Sequence, residues 1–180
     1  MNRSAHSTHI REMTLADCQA VAAVRVLGWQ TSYVGLVPQP YLDAMSIEEA
    51  TEQCRTHLTA ARPGVTHLVA EHAGEVVGWA CRGPYREAEG VRGTDPAHAE
   101  LYTLYVHPDR LSTGTGRALM AESMTGARGA GFTSMSLWVL RDNSRARRFY
   151  EKAGFSTDNA PEPFELGGAT LHDVRYTRPL

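Results

Sequence analysis

The chain has 180 residues, 42% of them hydrophobic, with Lys+Arg 18 against Asp+Glu 20 and a formal charge of −2. That length and apolar content suffice for a single domain, spanning 1–180, with a proper core. The balanced charge, without any basic block interleaved with aromatics, argues against nucleic acid as a partner. Cys18, Cys54 and Cys81 are odd in number and widely spaced, so no disulfide framework is expected. Nor do the scattered histidines offer metal-ligand spacing, and metal independence is the expectation. Met1 to His9 is polar and lacks an apolar h-region, and no apolar run approaches membrane-spanning length. A cytoplasmic protein with no membrane partner is expected.

His9 to Met13 alternates like a short strand, and Thr14 followed by Asp17 resembles a capping box opening a helix that carries Leu15, Val21, Val24, Leu27 and Trp29. Gly35, Pro38 and Pro40 then break the chain into a loop. Ser46 and Glu49 form a second box-like pair before a helix running to about Ala61, where Arg62-Pro63-Gly64 ends it. Val65 to Ala73 and Glu75 to Cys81 read as an antiparallel hairpin turning at Gly74. Gly83 to Pro96, with two prolines and two interior glycines among charges, reads as a long surface loop.

Ala99 to Val106 is the next strand. It ends in the turn His107-Pro108-Asp109, and a loop from Leu111 to Gly116 leads into a helix that reaches Arg128. Gly114 and Gly116 let the backbone approach a ligand closely, and the helix start presents free N–H groups at the positive end of its dipole. Such a loop suits an anion such as phosphate. Gly-Thr-Gly at this place is also what an ordinary strand-to-helix turn uses. Gly129 and Gly131 stop the helix, Phe132 to Leu140 is a further strand, and Asp142 or Asn143 caps a helix reaching Lys152 before Gly154. Pro161 and Pro163 mark a loop, Gly167-Gly168 a turn and Thr170 to Thr177 a last strand. The order βααβββαβαββ is that of an α/β fold with a mixed sheet.

Leu104-Tyr105-Val106-His107-Pro108, the loop Leu111-Ser112-Thr113-Gly114-Thr115-Gly116, and Asn143, Ala146, Tyr150, Gly154 and Phe155 at their spacings together resemble the GCN5-related N-acetyltransferase (GNAT) superfamily. The two motif regions cover roughly residues 99–157. The family pattern Q/R-x-x-G-x-G/A departs at its first position, where Leu111 stands, and Arg110 or Arg117 can supply the missing polar group. The resemblance implies a central mixed, mostly antiparallel sheet flanked by helices. It also implies acetyl-CoA as co-substrate, with the pyrophosphate on backbone groups of Ser112, Thr113, Gly114, Thr115, Gly116 and Arg117. On the same grounds the thioester arm lies along the backbone of Leu104, Tyr105 and Val106, with Asn143 and Tyr150 facing it.

By the same resemblance Tyr150 is the acid that protonates the departing thiolate. Its seven-residue offset from Asn143 puts both on one helix face. A packing role for Tyr150 beside Phe149, and a simple capping role for Asn143, stay open beside these. Glu100 shares strand parity with Tyr102, Leu104 and Val106, and among apolar neighbours it can serve as the base; a solvated strand end is the competing description. Trp29, Tyr33, Tyr85 and Tyr102 form a candidate aromatic wall for the acceptor. Arg145, Arg147 and Arg148 read as a solvated face, with contact to the cofactor's ribose phosphate the second option.

The leading reading is an N-acetyltransferase acting on a primary amine of a small molecule by direct transfer within a ternary complex. A protein or peptide N-acetyltransferase and a silent acyl-CoA-binding module are the alternatives. Trp138 stands where relatives that acetylate ribosomal-protein termini carry Glu, which weighs against that substrate class. A homodimer is compatible with all of them.

Overall fold

The computed structural model describes residues 8–60, 62–88, 91–157 and 159–180. In chain order they form β1 (His9–Glu12), α1 (Cys18–Ser32), α2 (Gln39–Asp43), α3 (Ile47–Thr59), β2 (Thr66–His72), β3 (Glu75–Pro84), β4 (Arg86–Ala88), β5 (Val91–Arg92), β6 (His98–Val106), α4 (Thr115–Gly129), β7 (Ser134–Leu140), α5 (Ser144–Lys152), β8 (Pro161–Leu166) and β9 (Ala169–Pro179). Seven strands make one mixed sheet in the order β1-β2-β3-β6-β7-β9-β8. Every neighbouring pair is antiparallel except β6 and β7. No helix among the described residues is long and apolar enough to cross a membrane.

The sheet is covered on both faces because its strands alternate. Val69 packs with Cys18 and Val21 of α1, while Leu68 and Ala70 join Leu119 and Met120 of α4 in the main core. Thr14 and Asp17 do form the expected box: the Thr14 N–H and hydroxyl both donate to Asp17 Oδ2, at 2.8 and 2.9 Å. The turn they close is a 3-10 turn over Leu15–Asp17, and the α-helix proper begins at Cys18. Ser46 caps α3 by accepting from the Glu49 N–H at 3.3 Å. The expected end of that helix near Ala61 lies outside the described residues; the helix itself closes at Thr59.

Three stretches differ from the sequence reading. The region of Pro38 and Pro40 contains the short α2, with Pro40 in its first turn, where a missing N–H costs nothing. The described part of Gly83–Pro96 holds the small β4–β5 ribbon. Pro161 and Pro163 belong to a strand, β8, not a loop. The strand lies at the edge of the sheet, where proline's lack of a donor goes unpunished.

Two irregularities prepare the site. Cys81 pairs with Thr103 but Arg82 with Leu101, so Tyr102 is the extra residue of a bulge in β6. The side-chain phase therefore reverses: Ala99 and Leu101 before the bulge, and Leu104 and Val106 after it, all pack on the α4 face. Parallel pairing of β6 with β7 covers only His98↔Ser134, Ala99↔Met135 and Glu100↔Ser136, after which the strands part.

The start of α4 sits close on β3 because Gly78 has no side chain. A Cβ there would stand 2.9 Å from Leu119 Cδ1 and 3.2 Å from the Tyr105 carbonyl oxygen. Gly78→Val is expected to cost about 1–3 kcal/mol by overpacking, read from urea unfolding. An unchanged midpoint would disprove the close approach.

Candidate active site

The cleft opened by the parting strands has a volume of about 740 Å³. One wall is Leu101 to Val106 of β6, and the other is Trp138, Val139 and Leu140 of β7. Beyond Glu100, β6 keeps β3 on one edge and, among the described residues, has no strand partner on the other. Its cleft-side N–H and C=O groups are therefore free to meet a ligand in the way they would meet a strand.

At one end lies the turn into α4. Gly114 caps the helix with φ +98°, and Ser112 also has positive φ, +64°. Left-handed residues just before a helix start are a backbone form met in anion-binding turns. Thr113 Oγ1 donates to the Arg110 carbonyl at 2.7 Å and lies 3.1 Å from Thr115 Oγ1. The Thr115 side chain is buried, so these hydroxyls brace the loop from within. Ser112, Gly114, Gly116 and Arg117 line the cleft; Thr113 and Thr115 do not. A Cβ on Gly116 would have Phe149 and Val106 at ordinary contact distance.

Helix α5 closes the side of the cleft. Asn143 Oδ1 accepts from the Ala146 N–H at 3.1 Å, so Asn143 is both the helix cap and a lining residue. Tyr150 also lines the cleft. Its ring meets Phe149 and Phe155 edge-on, at 5.3 and 6.2 Å between centroids, and no hydrogen bond to its hydroxyl is made among the described residues. Burial pushes its ionisation upward, so the phenol keeps its proton. The arginine cluster divides. Arg145 and Arg148 face the cleft with Lys152, whereas Arg147 donates to Tyr176 Oη at 2.9 Å and to the Arg141 carbonyl at 2.9 Å.

The expected aromatic wall is three-quarters assembled. Trp29 stacks on Tyr33 with centroids 4.6 Å apart and donates to the Tyr105 hydroxyl at 2.9 Å. Tyr102, on the bulge, also lines the cleft, its hydroxyl donating to the Pro84 carbonyl at 2.6 Å. Tyr85 lies elsewhere: it stacks on His98 at 4.4 Å and its hydroxyl accepts from Arg175 at 3.0 Å.

Glu100 also falls outside the cleft lining. It is 3% exposed, and its carboxylate accepts from the Arg86 N–H at 3.0 Å, from Nε at 3.2 Å and from Nη2 at 2.7 Å. Its surroundings are an ion pair, not the apolar neighbours expected. The bulge is the reason, since it breaks the parity that linked Glu100 to Leu104 and Val106.

The cleft includes residues that sequence reasoning passed over, Phe164 and Leu166 of β8 and Asp173 of β9, and also Trp138, which the sequence marked only as a departure from the Glu of some relatives. The first two were hidden by the reading of Pro161–Pro163 as a loop. Asp173 was visible in principle, because alternation puts it on the face opposite Val174 and Tyr176. Burial, reinforced by Glu162, pushes its carboxyl up to about 6.

A model of the acetyltransferase (GNAT) family matches residues 28–155. The chain belongs to that family. It is an acetyl-CoA-dependent acetyltransferase. It is similar to the uncharacterized N-acetyltransferase YuaI of Bacillus subtilis, 32% identical over 92% of this chain and 89% of that one. The L-amino acid N-acyltransferase MnaT of Escherichia coli is 32% identical over 51% of each chain. Among solved structures, the PaiA N-acetyltransferase of Thermoplasma acidophilum in complex with coenzyme A has the same fold. Its TM-score is 0.72 at 20% identity, covering 97% of this chain and 99% of that one.

Because Glu100 is spent on Arg86, Glu100→Gln in this GNAT protein should lower the melting temperature. Its ratio of mutant to wild-type rate should stay flat from about pH 6 to about pH 9, since a lost general base would instead show most at low pH. A ratio rising with pH would restore Glu100 as the base.

Proposed function

We propose that this GNAT protein transfers an acetyl group from acetyl-CoA to the primary amine of a small molecule, by direct attack within a ternary complex. The observation that carries this is the single cleft joining the α4 anion loop, the unpartnered edge of β6, Tyr150 and the Trp29–Tyr33 wall. The amides of Ser112 to Arg117 hold the pyrophosphate, and the free edge of β6 at Leu104 to Val106 receives the thioester arm and polarises its carbonyl. As the amine nitrogen forms its bond to the carbonyl carbon, the C–S bond breaks and sulfur leaves as thiolate. Tyr150 gives that thiolate its proton, and the surplus proton on the newly acylated nitrogen restores the phenol. A phenol held neutral by burial is a modest acid, so its contribution comes chiefly from placement.

A small acceptor is favoured over a protein one by how the acceptor end is built. The β8–β9 turn rests on α2 so closely that a Cβ on Gly167 would lie 2.9 Å from Tyr41 Cβ. The same hairpin contributes Phe164, Leu166 and Asp173 to the cleft lining, so anchoring its turn on α2 supports an acceptor end too confined for a peptide. The whole chain acts as one catalytic unit in the cytoplasm.

Gly116→Asp puts a carboxylate where the pyrophosphate would lie, and calorimetry should show acetyl-CoA affinity lost in a variant that still folds. Unchanged affinity would place the cofactor elsewhere. Tyr150→Phe keeps the ring and its packing, and turnover measured by thiol release should fall by about 10²–10⁴-fold, with little change in melting temperature or acetyl-CoA affinity. Wild-type turnover where chemistry limits would return Tyr150 to a packing role.

A further inference from the structure

An acceptor amine reaches the protein as an ammonium ion, because alkyl ammonium groups titrate near ~10. Some group must hold that charge and remove a proton before the lone pair can attack. Glu100 is turned into its pair with Arg86. Among the described residues, Asp173 is the one carboxylate that lines the cleft. It stands on β9 between Leu140 of β7 and Glu162 of β8. No hydrogen bond or ion pair among the described residues engages its oxygens.

Charge in the cleft is divided between its two sides. Arg110, Arg117, Arg145, Arg148 and Lys152 come from the α4 loop and α5, where the anionic cofactor is proposed to lie. Away from those cations Asp173 shares the cleft lining with apolar and aromatic side chains: Trp29 of α1, Tyr33 just beyond its end, and Phe164 and Leu166 of β8. Tyr33 and Tyr105 lie close enough for their ionisation to respond to its charge. A cation enclosed by aromatic faces and one carboxylate is stabilised on every side, while a second carboxylate there is repelled.

We propose that Asp173 receives the ammonium group of the acceptor and takes its proton, and that the acceptor is a primary amine with an apolar or aromatic body and no carboxylate beside the nitrogen. The inference rests on the acetyl-transfer reading above. In the step, an N–H bond of the ammonium breaks and an O–H bond forms on Asp173. The freed lone pair then attacks the thioester carbonyl, the C–S bond breaks as Tyr150 protonates the departing thiolate, and the surplus proton on the newly acylated nitrogen restores the Tyr150 phenol. The Asp173 proton passes to solvent as product leaves. The groups facing Asp173 are Glu162 from β8, Tyr33 just after α1 and Tyr105 from β6. Burial and Glu162 together hold its carboxyl near 6, so it is ionised at neutral pH yet a better proton acceptor than an ordinary carboxylate.

The test compares 2-phenylethylamine with L-phenylalanine, which share the ring and differ in the carboxylate, on wild type, Asp173→Asn and Asp173→Glu. Wild type should prefer the amine by at least about 10-fold in kcat/KM, and Asp173→Asn should lower kcat/KM for the amine by about 10²-fold or more. The wild-type profile should rise through about pH 6, and this rise should be absent in Asp173→Asn and present in Asp173→Glu. Acetyl-CoA affinity by calorimetry should be the same in all three. A carboxyl raised in the folded state stabilises the fold below its unfolded value of about 3.9 and loses that contribution as pH rises through about 6. Asp173→Asn should therefore melt no lower than wild type at neutral pH, which separates lost chemistry from lost folding.

Equal kcat/KM in wild type and Asp173→Asn, or a preference for L-phenylalanine, overturns the inference while leaving acetyl transfer intact. If wild type acetylates neither compound, tryptophan fluorescence with coenzyme A present reports binding of 2-phenylethylammonium. Binding that disappears in Asp173→Asn upholds the ammonium site and refutes transfer. No binding by wild type overturns the ammonium site as well.

Discussion

The site depends on the parting of β6 and β7 after three paired rows. A parallel pair that stayed in register would consume the backbone groups of Leu101 to Val106 in a ladder, leaving no gap between the strands for a ligand. Instead β6 is held only by β3, and its other edge stays open to a ligand. The divergence is stabilised from both ends. The hydroxyl chain from His98 through Ser136 to Thr177, at 2.8 and 2.7 Å, ties the closed end, and α5 wedges Phe149 and Tyr150 against the core beside the open end.

The bulge at Tyr102 sets which side chains meet in that opening. By advancing β6 one residue it lets Leu104 and Val106 continue the packing begun by Ala99 and Leu101, and it turns Glu100 to the other face. There the carboxylate finds Arg86, whose guanidinium also lies 4.0 Å over the Tyr102 ring. One backbone irregularity thus turns the Glu100 carboxylate out of the cleft lining and fixes the Tyr102 ring at the cleft's edge. The carboxylate that does line the cleft, among the described residues, is Asp173 of β9, a strand far from β6 in sequence and placed between β7 and β8 in the sheet.

Where local rules dominate, the sequence was legible. The Thr14–Asp17 and Ser46–Glu49 boxes, the Gly74 turn and the Asn143 cap each depend on a few adjacent residues, and each stands where the pattern put it. The two glycines of the anion loop and the Asn143–Tyr150 face were readable for the same reason, since one turn and one helix contain them. Pro161 and Pro163 misled because proline carries two meanings, loop or sheet edge, and only the strand order distinguishes them.

The longer helices, their caps and the glycine turn before α4 were therefore determined by the sequence alone, through short-range periodicity and capping, and the family was legible through the resemblance of its motifs. The tertiary structure decided the fates of Glu100, Tyr85 and Asp173. Strand parity is reset by a bulge that no local pattern announces, and whether an aromatic or a carboxylate faces ligand or partner depends on the register between distant strands. Tyr85 meets His98 and Arg175, Glu100 meets Arg86, and Asp173 meets the cleft, because pairing across the sheet placed them there.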